Sequence, residues 1–410
     1  MNIGFFEDDG WRNLLPLTWL RSAFELRTGR DTLLDKVATH VRGRVARVWV
    51  REALAPVVAE RIPLADAAPA QAWALFNSRT LVTQIIAPPP PSVVWRIDGA
   101  VVAIGVTAAE LERWTARDFL DHARLDERLS RFRAESPPAG VRLVTFPWEL
   151  AIGNADELAR QCRGGGECAG RVYSGAHLLN EREIRVAPGA VVKPGCVLDA
   201  ETGPIEIDER AVLQPNAVVQ GPCYIGRDAV VRPGAAIRGG TTIGPVCKVG
   251  GEIEATIFQG HGNKQHDGFL GHSFVGEWVN LGASTVSSDL KNTYGTIRVL
   301  LNGVEVETGH TLVGTTIGDH VKTGIGTILP TGCVLGVAAN VFTTALVPRF
   351  VPSFSWLTEA GVVRARVDKV IAVARTMMAR RKRALSDAEQ KLIEDAAATA
   401  RQIESGAPAP

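Results

Sequence analysis

A six-residue repeat occupies the middle of this 410-residue chain and limits its fold more than any other feature. Within it an aliphatic side chain recurs at every sixth position, with one wider gap, and a small side chain follows most of these four residues later. The aliphatic positions are Val186, Val192, Leu198, Ile207, Leu213, Val219, Ile225, Val231, Ile237, Ile243 and Val249. The small positions are Ala190, Cys196, Ala211, Ala217, Cys223, Ala229, Ala235, Thr241 and Cys247. The pattern resumes from Ile317 to Val347, so the chain contains an internal repeat.

The spacing of this repeat predicts its structure. A period of six suits a short strand followed by a turn, and three such units close one triangular coil with the aliphatic residues inside. Gly and Pro supply the turns, as in Arg232-Pro233-Gly234. One coil cannot bury its own faces, so stability must come from coils stacked on one another. We therefore predict a parallel β-helix over residues 185–350, and its resemblance to hexapeptide-repeat proteins implies that it is left-handed.

The two ends of the chain follow other patterns. Residues 1–162 alternate strand-like and helical segments, which predicts an α/β domain, and residues 163–184 are predicted to be a linker. The strand-like segments are Asn2–Phe6, Val45–Val50, Gln71–Phe76, Val93–Ile97 and Ala100–Val106, and the clearest helical segments are Arg51–Arg61 and Ala108–Leu120. Apolar residues at helical spacing and a capping box at Ser386 and Glu389 predict a helical tail at 351–410, whose role the sequence does not reveal.

The charge balance excludes some classes of partner. There are 45 Lys and Arg against 44 Asp and Glu, so no overall field favours nucleic acid or an anionic membrane. No apolar run reaches the roughly 18 residues of a membrane span, and no basic segment precedes Glu7, so we expect a cytoplasmic protein. The basic cluster Arg380–Arg383 is interpreted as a solvated helix end without a functional role.

One histidine lies where the six-residue rhythm breaks. His266 is surrounded by glycine and polar residues between Gly250 and Phe269, and loops that leave a rigid scaffold often carry functional sites. A neutral imidazole can take a proton from an amine or a hydroxyl group. An isolated histidine is more often structural, so the residue types alone leave both interpretations open.

The residues that follow His266 resemble a known family. His266, Phe269-Leu270-Gly271 and Val279-Asn280-Leu281-Gly282-Ala283 are similar to segments of glucosamine-1-phosphate N-acetyltransferase domains. The resemblance implies that His266 is the general base that deprotonates the sugar amine as it attacks acetyl-CoA. It assigns substrate contacts to Arg232, Lys264, Phe269, Asn280, Asn292 and Tyr294. Lys264 is included because a family lysine is replaced here by Gly250-Gly251. The resemblance also implies a homotrimer in which the loop Ser287–His310 reaches a neighbouring subunit.

The N-terminal segment carries a second resemblance. The pattern from Pro16 to Gly29 is similar to shortened bifunctional UDP-N-acetylglucosamine diphosphorylase/glucosamine-1-phosphate N-acetyltransferases. This implies Mg²⁺-dependent transfer of a nucleotidyl group from UTP or another NTP to a sugar 1-phosphate. Arg12, Arg21 and Arg27 are the candidate phosphate contacts, although structural roles remain equally open.

The phosphate loop of this segment departs from that family. Glu7-Asp8-Asp9-Gly10 stands where the family has a glycine-rich loop, and carboxylates repel phosphates unless a cation intervenes. The family's catalytic lysine is not visible, with Ala23 near its place. The sequence therefore leaves open whether this domain is active, and it identifies no metal ligands.

Three hypotheses follow. The leading one is an acetyl-CoA-dependent N-acetyltransferase acting on an amino-sugar 1-phosphate, coupled to nucleotidyl transfer that gives a UDP-sugar. The second is a sugar-1-phosphate nucleotidylyltransferase with a purely structural β-helix, and the third is a noncatalytic sugar-nucleotide-binding scaffold. The sequence does not specify the sugar, the acyl group or the nucleotide.

Overall fold

The computed structural model describes residues 1–68, 72–162 and 165–405. Its N-terminal part is an α/β layer built on a six-stranded mixed sheet in the order β4-β1-β5-β8-β7-β9. The strands are β1 (Asn2–Phe6), β2 (Arg27–Thr28), β3 (Asp31–Thr32), β4 (Arg44–Trp49), β5 (Trp73–Asn77), β6 (Thr80–Val82), β7 (Val93–Ile97), β8 (Ala100–Val106), β9 (Arg133–Glu135) and β10 (Val141–Leu143). The helices are α1 (Leu33–Val41), α2 (Ala55–Arg61), α3 (Ala108–Leu111), α4 (Ala116–Leu120), α5 (His122–Leu129), α6 (Pro147–Ile152) and α7 (Asn154–Gln161).

These elements confirm the predicted α/β class and correct two helices, of which the one predicted over Arg51–Arg61 begins at Ala55. The single helix predicted over Ala108–Leu120 is divided into α3 and α4. Thr115 and Asp118 form a capping box, which begins a new helix at Ala116 because it satisfies free backbone N–H groups there. Gln71, the first residue of one predicted strand, lies outside the described residues.

The middle of the chain is a parallel β-helix, as predicted. Its strands up to the rhythm break are β11 (Arg171–Val172), β12 (His177–Leu179), β13 (Ile184–Val186), β14 (Val191–Val192), β15 (Val197–Asp199), β16 (Ile205–Ile207), β17 (Val212–Leu213), β18 (Val218–Gln220), β19 (Cys223–Ile225), β20 (Val230–Val231), β21 (Ala236–Ile237), β22 (Thr241–Ile243), β23 (Lys248–Val249), β24 (Glu252–Glu254), β25 (Ile257–Phe258), β26 (Asn263–Lys264), β27 (Phe269–Gly271) and β28 (Phe274–Val275). Every third strand pairs in parallel, which gives sheet 1 (β11-β14-β17-β20-β23-β26), sheet 2 (β12-β15-β18-β21-β24-β27) and sheet 3, which begins at β13.

The later part of the chain extends these sheets and adds two helices. Its elements are β29 (Val286–Ser287), β30 (Arg298–Leu301), β31 (Val304–Glu307), β32 (Thr316–Ile317), β33 (Lys322–Thr323), β34 (Ile328–Leu329), β35 (Val334–Leu335), β36 (Asn340–Phe342), β37 (Phe350–Val351), β38 (Ser355–Thr358), β39 (Gly361–Arg364), α8 (Val367–Ala379) and α9 (Asp387–Glu404). Sheet 3 continues through β28, β32, β35 and β37. Isolated bridges at Asn280 connect β26 to β33, so sheet 1 also continues across the rhythm break.

The strand register explains the repeat. Val192 aligns with Leu213, Leu213 with Val231, and Val231 with Val249, so equivalent hexad positions stack coil on coil. All the aliphatic positions from Val186 to Val249 are buried in one continuous core. Each such side chain contributes roughly 1.5–3 kcal/mol by leaving water. The regular stack therefore provides a rigid scaffold for whatever projects from it.

Coil pairing extends beyond the limits predicted for the β-helix. β11 and β12, within the predicted linker 163–184, pair with β14 and β15, while Arg163 and Gly164 lie outside the described residues. β38 and β39 lie within the predicted helical tail and extend sheet 1 from β36. The domain limits 1–162, 163–184, 185–350 and 351–410 stay predictions, because the ladders run across them.

The N-terminal domain packs on the outer face of sheet 3. Helix α7 contacts β22 and α6 contacts β28, while Asn154 accepts a hydrogen bond from the Gly29 amide and donates one to the Gly240 carbonyl. The apolar side of α9 packs on the N-terminal domain, and α8 lies against the β-helix. Within the described ranges, no helix is both long enough and apolar enough to cross a membrane.

Candidate functional site

His266 lies at an exposed corner of the β-helix, where the chain leaves β26 and turns toward β27. Its imidazole makes no hydrogen bond to any other residue that the structure describes. The neighbouring Lys264 occupies an inward position and is almost fully buried, and its Nζ donates hydrogen bonds to the carbonyl oxygens of Gly250 (3.2 Å) and His266 (3.0 Å). The ammonium group thus holds the backbone of the corner while the imidazole stays accessible to a substrate.

Two glycines make this arrangement possible. A Cβ on Gly251, whose φ is +73°, would lie 2.8 Å from Lys264 Nζ and 2.9 Å from the His266 carbonyl oxygen. A Cβ on Gly250 would lie 3.2 Å from the Cβ of Arg232, so Arg232, Lys264 and His266 surround one corner. Burial lowers the pKa of Lys264 to about 8. Lys264 fills the space that Gly250-Gly251 leaves, and its contact with substrate stays a prediction.

Arg232 and Asn280 flank this corner. Arg232 is exposed and has no ion-pair partner among the residues described. Asn280 lies one coil further on in sheet 1, between Asn263 and Lys322. Phe269 is half-buried at the start of β27, and its ring packs close to Gly271. Together with His266, these residues form a surface that presents an imidazole, a guanidinium group and an amide, and a neutral imidazole there can accept a proton from a bound amine.

Asn292 and Tyr294 are not brought to this corner by any contact within the described structure. Tyr294 is 74% exposed in the loop that leaves the coil after β29. The hairpin β30–β31 in the same loop packs on its own chain, where Val299 contacts Trp148 in a small apolar cluster and Asn302 Nδ2 donates to the Arg12 carbonyl. Substrate contact by Asn292 and Tyr294, like contact of this loop with a neighbouring subunit, stays a prediction.

A basic cavity of about 510 Å³ begins beside the corner, at Gln265. Sheet 1 forms one wall through Lys248, Asn263, Asn280 and Lys322, and α8 forms the other. Lys248 and Lys322 are not among the residues predicted from the sequence. Each immediately precedes an inward position of sheet 1, so the hexad register could have placed both on the same outward face.

The N-terminal loop is arranged very differently. Each of its three carboxylates has an arginine partner: Glu7 Oε2 lies 3.1 Å from Arg51 Nε, Asp8 Oδ2 lies 2.6 Å from Arg79 Nη2, and Asp9 Oδ1 lies 2.7 Å from Arg12 Nε. A Cβ on Gly10 would lie 2.4 Å from the Arg79 Cζ, so a side chain there would displace the guanidinium that pairs with Asp8. Arginines of the same chain therefore offset the negative charge of these carboxylates, which from the sequence alone needed a cation such as Mg²⁺.

This loop does not fit a magnesium site. Mg²⁺ needs carboxylate oxygens that are free to coordinate. Here guanidinium groups pair with both oxygens of Asp8 and with one each of Glu7 and Asp9, and the other Glu7 oxygen is buried. No group of three or more His, Cys, Asp or Glu residues suited to a metal ion occurs in the described part of the chain.

Arg21 and Arg27 are held by contacts within the chain. Arg21 is 4% exposed, and its Nη2 lies 2.7 Å from Asp319 Oδ2 and 3.4 Å from Glu277 Oε2, which ties the N-terminal domain to the β-helix. The Arg27 guanidinium donates to the Arg30 carbonyl. Burial opposes ionisation of Glu277, but Arg21 and Arg61 outweigh it and lower the pKa of Glu277 to about 2. Phosphate contact by Arg21 would require breaking this buried ion pair.

Helix α9 closes one side of the N-terminal loop. Trp11 and Trp19 face α9 across a cavity of about 280 Å³, and Trp19 Nε1 donates to Glu404 Oε1 at 3.1 Å. The Arg51 guanidinium lies 3.5 Å above the Trp11 ring. Arg12, which is partly exposed at the edge of this cavity, is the candidate phosphate contact that remains nearest the loop.

Comparison with known proteins finds relatives of both parts of the chain. A family model described as sugar nucleotidyl transferase matches residues 3–163. The bifunctional protein GlmU of Methylibium petroleiphilum is 28% identical over 284 residues, which is 66% of this chain and 51% of that protein. A bifunctional sugar-1-phosphate nucleotidylyltransferase/acetyltransferase of Sulfurisphaera tokodaii is 32% identical over 99 residues, which is 24% of each chain. The chain thus spans about half, or less, of the length of these relatives, and the predicted resemblance to bifunctional transferases is confirmed.

The solved structures that match the chain share little sequence with it. A UDP-N-acetylglucosamine acyltransferase of Francisella novicida is 14% identical, with a TM-score of 0.27, over 56% of this chain and 92% of that one. A single-residue mutant of AntD, an N-acyltransferase of Bacillus cereus solved with dTDP and coenzyme A, is 12% identical, with a TM-score of 0.20, over 51% and 87% of the two chains.

Proposed function

We propose that the chain transfers an acetyl group from acetyl-CoA to the amine of an amino-sugar 1-phosphate such as glucosamine-1-phosphate. The observation that carries the proposal is the His266 corner, where an accessible imidazole without a protein partner lies next to an unpaired arginine. A structural histidine would be expected to be packed or hydrogen bonded. The similarity of 66% of the chain to a bifunctional relative supports the same reaction.

The residues of the corner would divide the reaction among them. His266 takes a proton from the sugar amine as the nitrogen attacks the thioester carbonyl. The C–N bond forms and the C–S bond breaks, and coenzyme A leaves as the thiol after accepting a proton. Arg232 binds the sugar phosphate, and the Asn280 amide orients the acceptor. Lys264 acts from beneath, by holding the carbonyl oxygens of Gly250 and His266 in place.

For the N-terminal domain we propose sugar-1-phosphate nucleotidyl transfer that gives a UDP-sugar. The family match over residues 3–163 supports this activity. The ion-paired loop instead favours a domain that only binds nucleotide, because guanidinium groups already occupy its carboxylates. Mg²⁺ dependence stays a prediction, and no step is assigned to a metal.

We also propose that the active form is a homotrimer. The last coils expose large apolar side chains, with Ile325 75% exposed, Phe342 66% and Leu346 63%. Such patches are typical of surfaces that contact another protein. Light scattering at micromolar concentration tests this, and a fully active monomer would overturn it.

One experiment separates the candidate functions. The protein is incubated with glucosamine-1-phosphate, acetyl-CoA, UTP and Mg²⁺, and products are identified by mass spectrometry, with each reactant omitted in turn. We expect N-acetylglucosamine-1-phosphate that depends on acetyl-CoA, and a UDP-sugar that depends on UTP. A UDP-sugar without acetylation would support the second hypothesis, and nucleotide binding without either product would support the third.

A further inference from the structure

The cavity between α8 and sheet 1 is lined by an unusual concentration of positive charge. Helix α8 faces it with a stripe that follows helical spacing, and sheet 1 and its flanking coils supply the opposite wall. The α8 side consists of Lys369, Ala372, Val373, Thr376, Met377, Arg380 and Arg381, and the β-helix side consists of Lys248, His261, Asn263, Gln265, Trp278, Asn280 and Lys322. The lining contains five Lys or Arg residues and no Asp or Glu.

None of these five cations has a carboxylate partner within the described ranges. Lys322 Nζ donates to the carbonyl oxygen of His320 at 2.9 Å, and Arg381 Nη2 donates to Asn263 Oδ1 at 2.7 Å. By contrast, the arginines of the N-terminal loop are neutralised by nearby carboxylates. Neighbouring cations that lack counter-ions repel one another, so this arrangement costs free energy unless an anion binds between them.

The pKa values of Lys248 and Lys322 are both lowered, as expected for partly buried cations without carboxylate partners. Burial, together with Arg381, Arg232 and Arg380, lowers the pKa of Lys248. Burial lowers the pKa of Lys322 to about 8. The contribution of Arg232 shows that the basic cavity and the His266 corner are close enough to interact electrostatically.

Stabilisation of the helix end explains only part of this charge. Basic residues at a helix C-terminus interact favourably with the helix dipole, and this accounts for Arg380 and Arg381 after α8. It does not account for Lys248 and Lys322, which come from two different coils of the opposite wall. The helix end therefore does not explain why positive side chains from both walls face the same cavity.

The remaining lining indicates what kind of anion fits. Met377 and Val373 on α8 and Trp278 on the β-helix provide apolar surface, while Asn263, Gln265 and Asn280 provide amide donors and acceptors. A volume of about 510 Å³ is in the range of small-molecule sites, which is roughly 300–1,000 Å³. Inorganic phosphate would use only the charges, whereas a nucleoside would also use the apolar and amide surfaces.

We infer that this cavity binds the diphosphate of a nucleoside 5′-diphosphate, with the base and ribose lying against the apolar and amide lining. In a diphosphate that is substituted on both sides, each of the two phosphates carries about one negative charge at pH 7, so the diphosphate offsets part of the excess positive charge. Two ligands share this chemistry, a UDP-sugar and coenzyme A. The inference assigns a role to the basic cluster that the sequence analysis interpreted as a solvated helix end. It does not depend on acetyl transfer by His266.

Equilibrium binding to the full chain tests the inference. Calorimetric titrations with inorganic pyrophosphate, UDP and coenzyme A are compared for the wild type, Arg380→Gln and Lys322→Met. Arg380 is exposed, so its substitution leaves the fold intact and keeps the test valid if Lys322→Met is unstable. We expect each substitution to weaken binding of UDP or coenzyme A by about tenfold, the loss of one charge-assisted contact. Lys382→Gln, in the same basic cluster but outside the lining, should change it less than twofold.

The outcomes are decisive in both directions. Competition of pyrophosphate with the nucleotide supports recognition of the diphosphate, and the tighter of UDP and coenzyme A identifies the natural source. Binding that is unchanged in Arg380→Gln and Lys322→Met, or absent at about 1 mM nucleotide, overturns the inference. Loss of binding in Arg12→Ala alone also overturns it, because the nucleotide would then occupy the N-terminal loop.

Discussion

The His266 corner and the N-terminal loop both depart from their family patterns, and the structure compensates for the two departures differently. At the corner, where the resemblance leads us to expect a lysine on the previous coil, Lys264 supports the backbone beside Gly250-Gly251, and His266 and Arg232 stay accessible. At the loop, carboxylates replace glycines and are neutralised by arginines of the same chain, while α9 packs alongside. Charges without protein partners remain available to a ligand, whereas paired charges are already used for stability. The His266 corner is therefore the better candidate site, because its charged side chains are unpaired.

The strongest test of this comparison is His266→Ala. Loss of a positioned general base should lower acetyl transfer by roughly 10²–10⁴-fold, with assembly and nucleotidyl transfer unchanged, because the exposed imidazole leaves no core cavity. Initial rates with acetyl-CoA and glucosamine-1-phosphate measure the effect. Asn280→Ala should lower the rate less, since it removes a hydrogen bond and no proton acceptor. Wild-type rates in His266→Ala would show that the histidine is structural.

A second test concerns the pairing of Arg21 with Asp319. If the pair is structural, Arg21→Met should lower the free energy of unfolding by about 3–5 kcal/mol, because it leaves the Asp319 carboxylate buried without its partner. Denaturant titration measures this. Lys391→Met is a matched control: its Nζ is also 2.7 Å from a carboxylate, but the pair is exposed, so we expect a much smaller loss. Equal losses in the two variants would contradict the structural role.

The N-terminal loop can be tested through Arg12. If this domain is active, Arg12→Ala should lower nucleotidyl transfer about tenfold, the value of one charge-assisted contact to phosphate. The resemblance implies that the NTP reacts with Mg²⁺, so EDTA should abolish the reaction even though arginines pair with the loop carboxylates. The release of pyrophosphate from UTP measures both effects. Activity that survives EDTA and the substitution unchanged would place the reaction elsewhere in the molecule.

The smallest expected effect concerns pH and Glu277. The folded-state pKa of about 2 lies below the ordinary value of 4.5, so ionised Glu277 contributes stability above about pH 4.5, and this contribution is lost as the pH falls toward 2. The difference in melting temperature between the wild type and Glu277→Gln should therefore shrink from pH 6 to pH 3. A difference that stays constant over this range would show that Glu277 is not held ionised by Arg21 and Arg61.

Much of the scaffold could be predicted because its signal is local. The hexad states which residues point inward, and Val192, Leu213 and Val231 lie in the predicted register. The extent of the β-helix was harder to predict, since β11 and β38 lack the hexad and form by pairing with β14 and β36, which have it. His266 was identified from its motif, but its accessibility was not.

The sequence by itself determined the β-helix, the α/β character of the first domain and the position of the candidate base, because each depends on spacing within a short segment. Only the tertiary structure decided which charges are paired. Arg21 meets Asp319 298 residues away, and Lys248 and Lys322 meet α8 after separate coils bring them to one face. An ion pair depends on a few ångströms between side chains that are distant in the chain, and no local pattern specifies that distance.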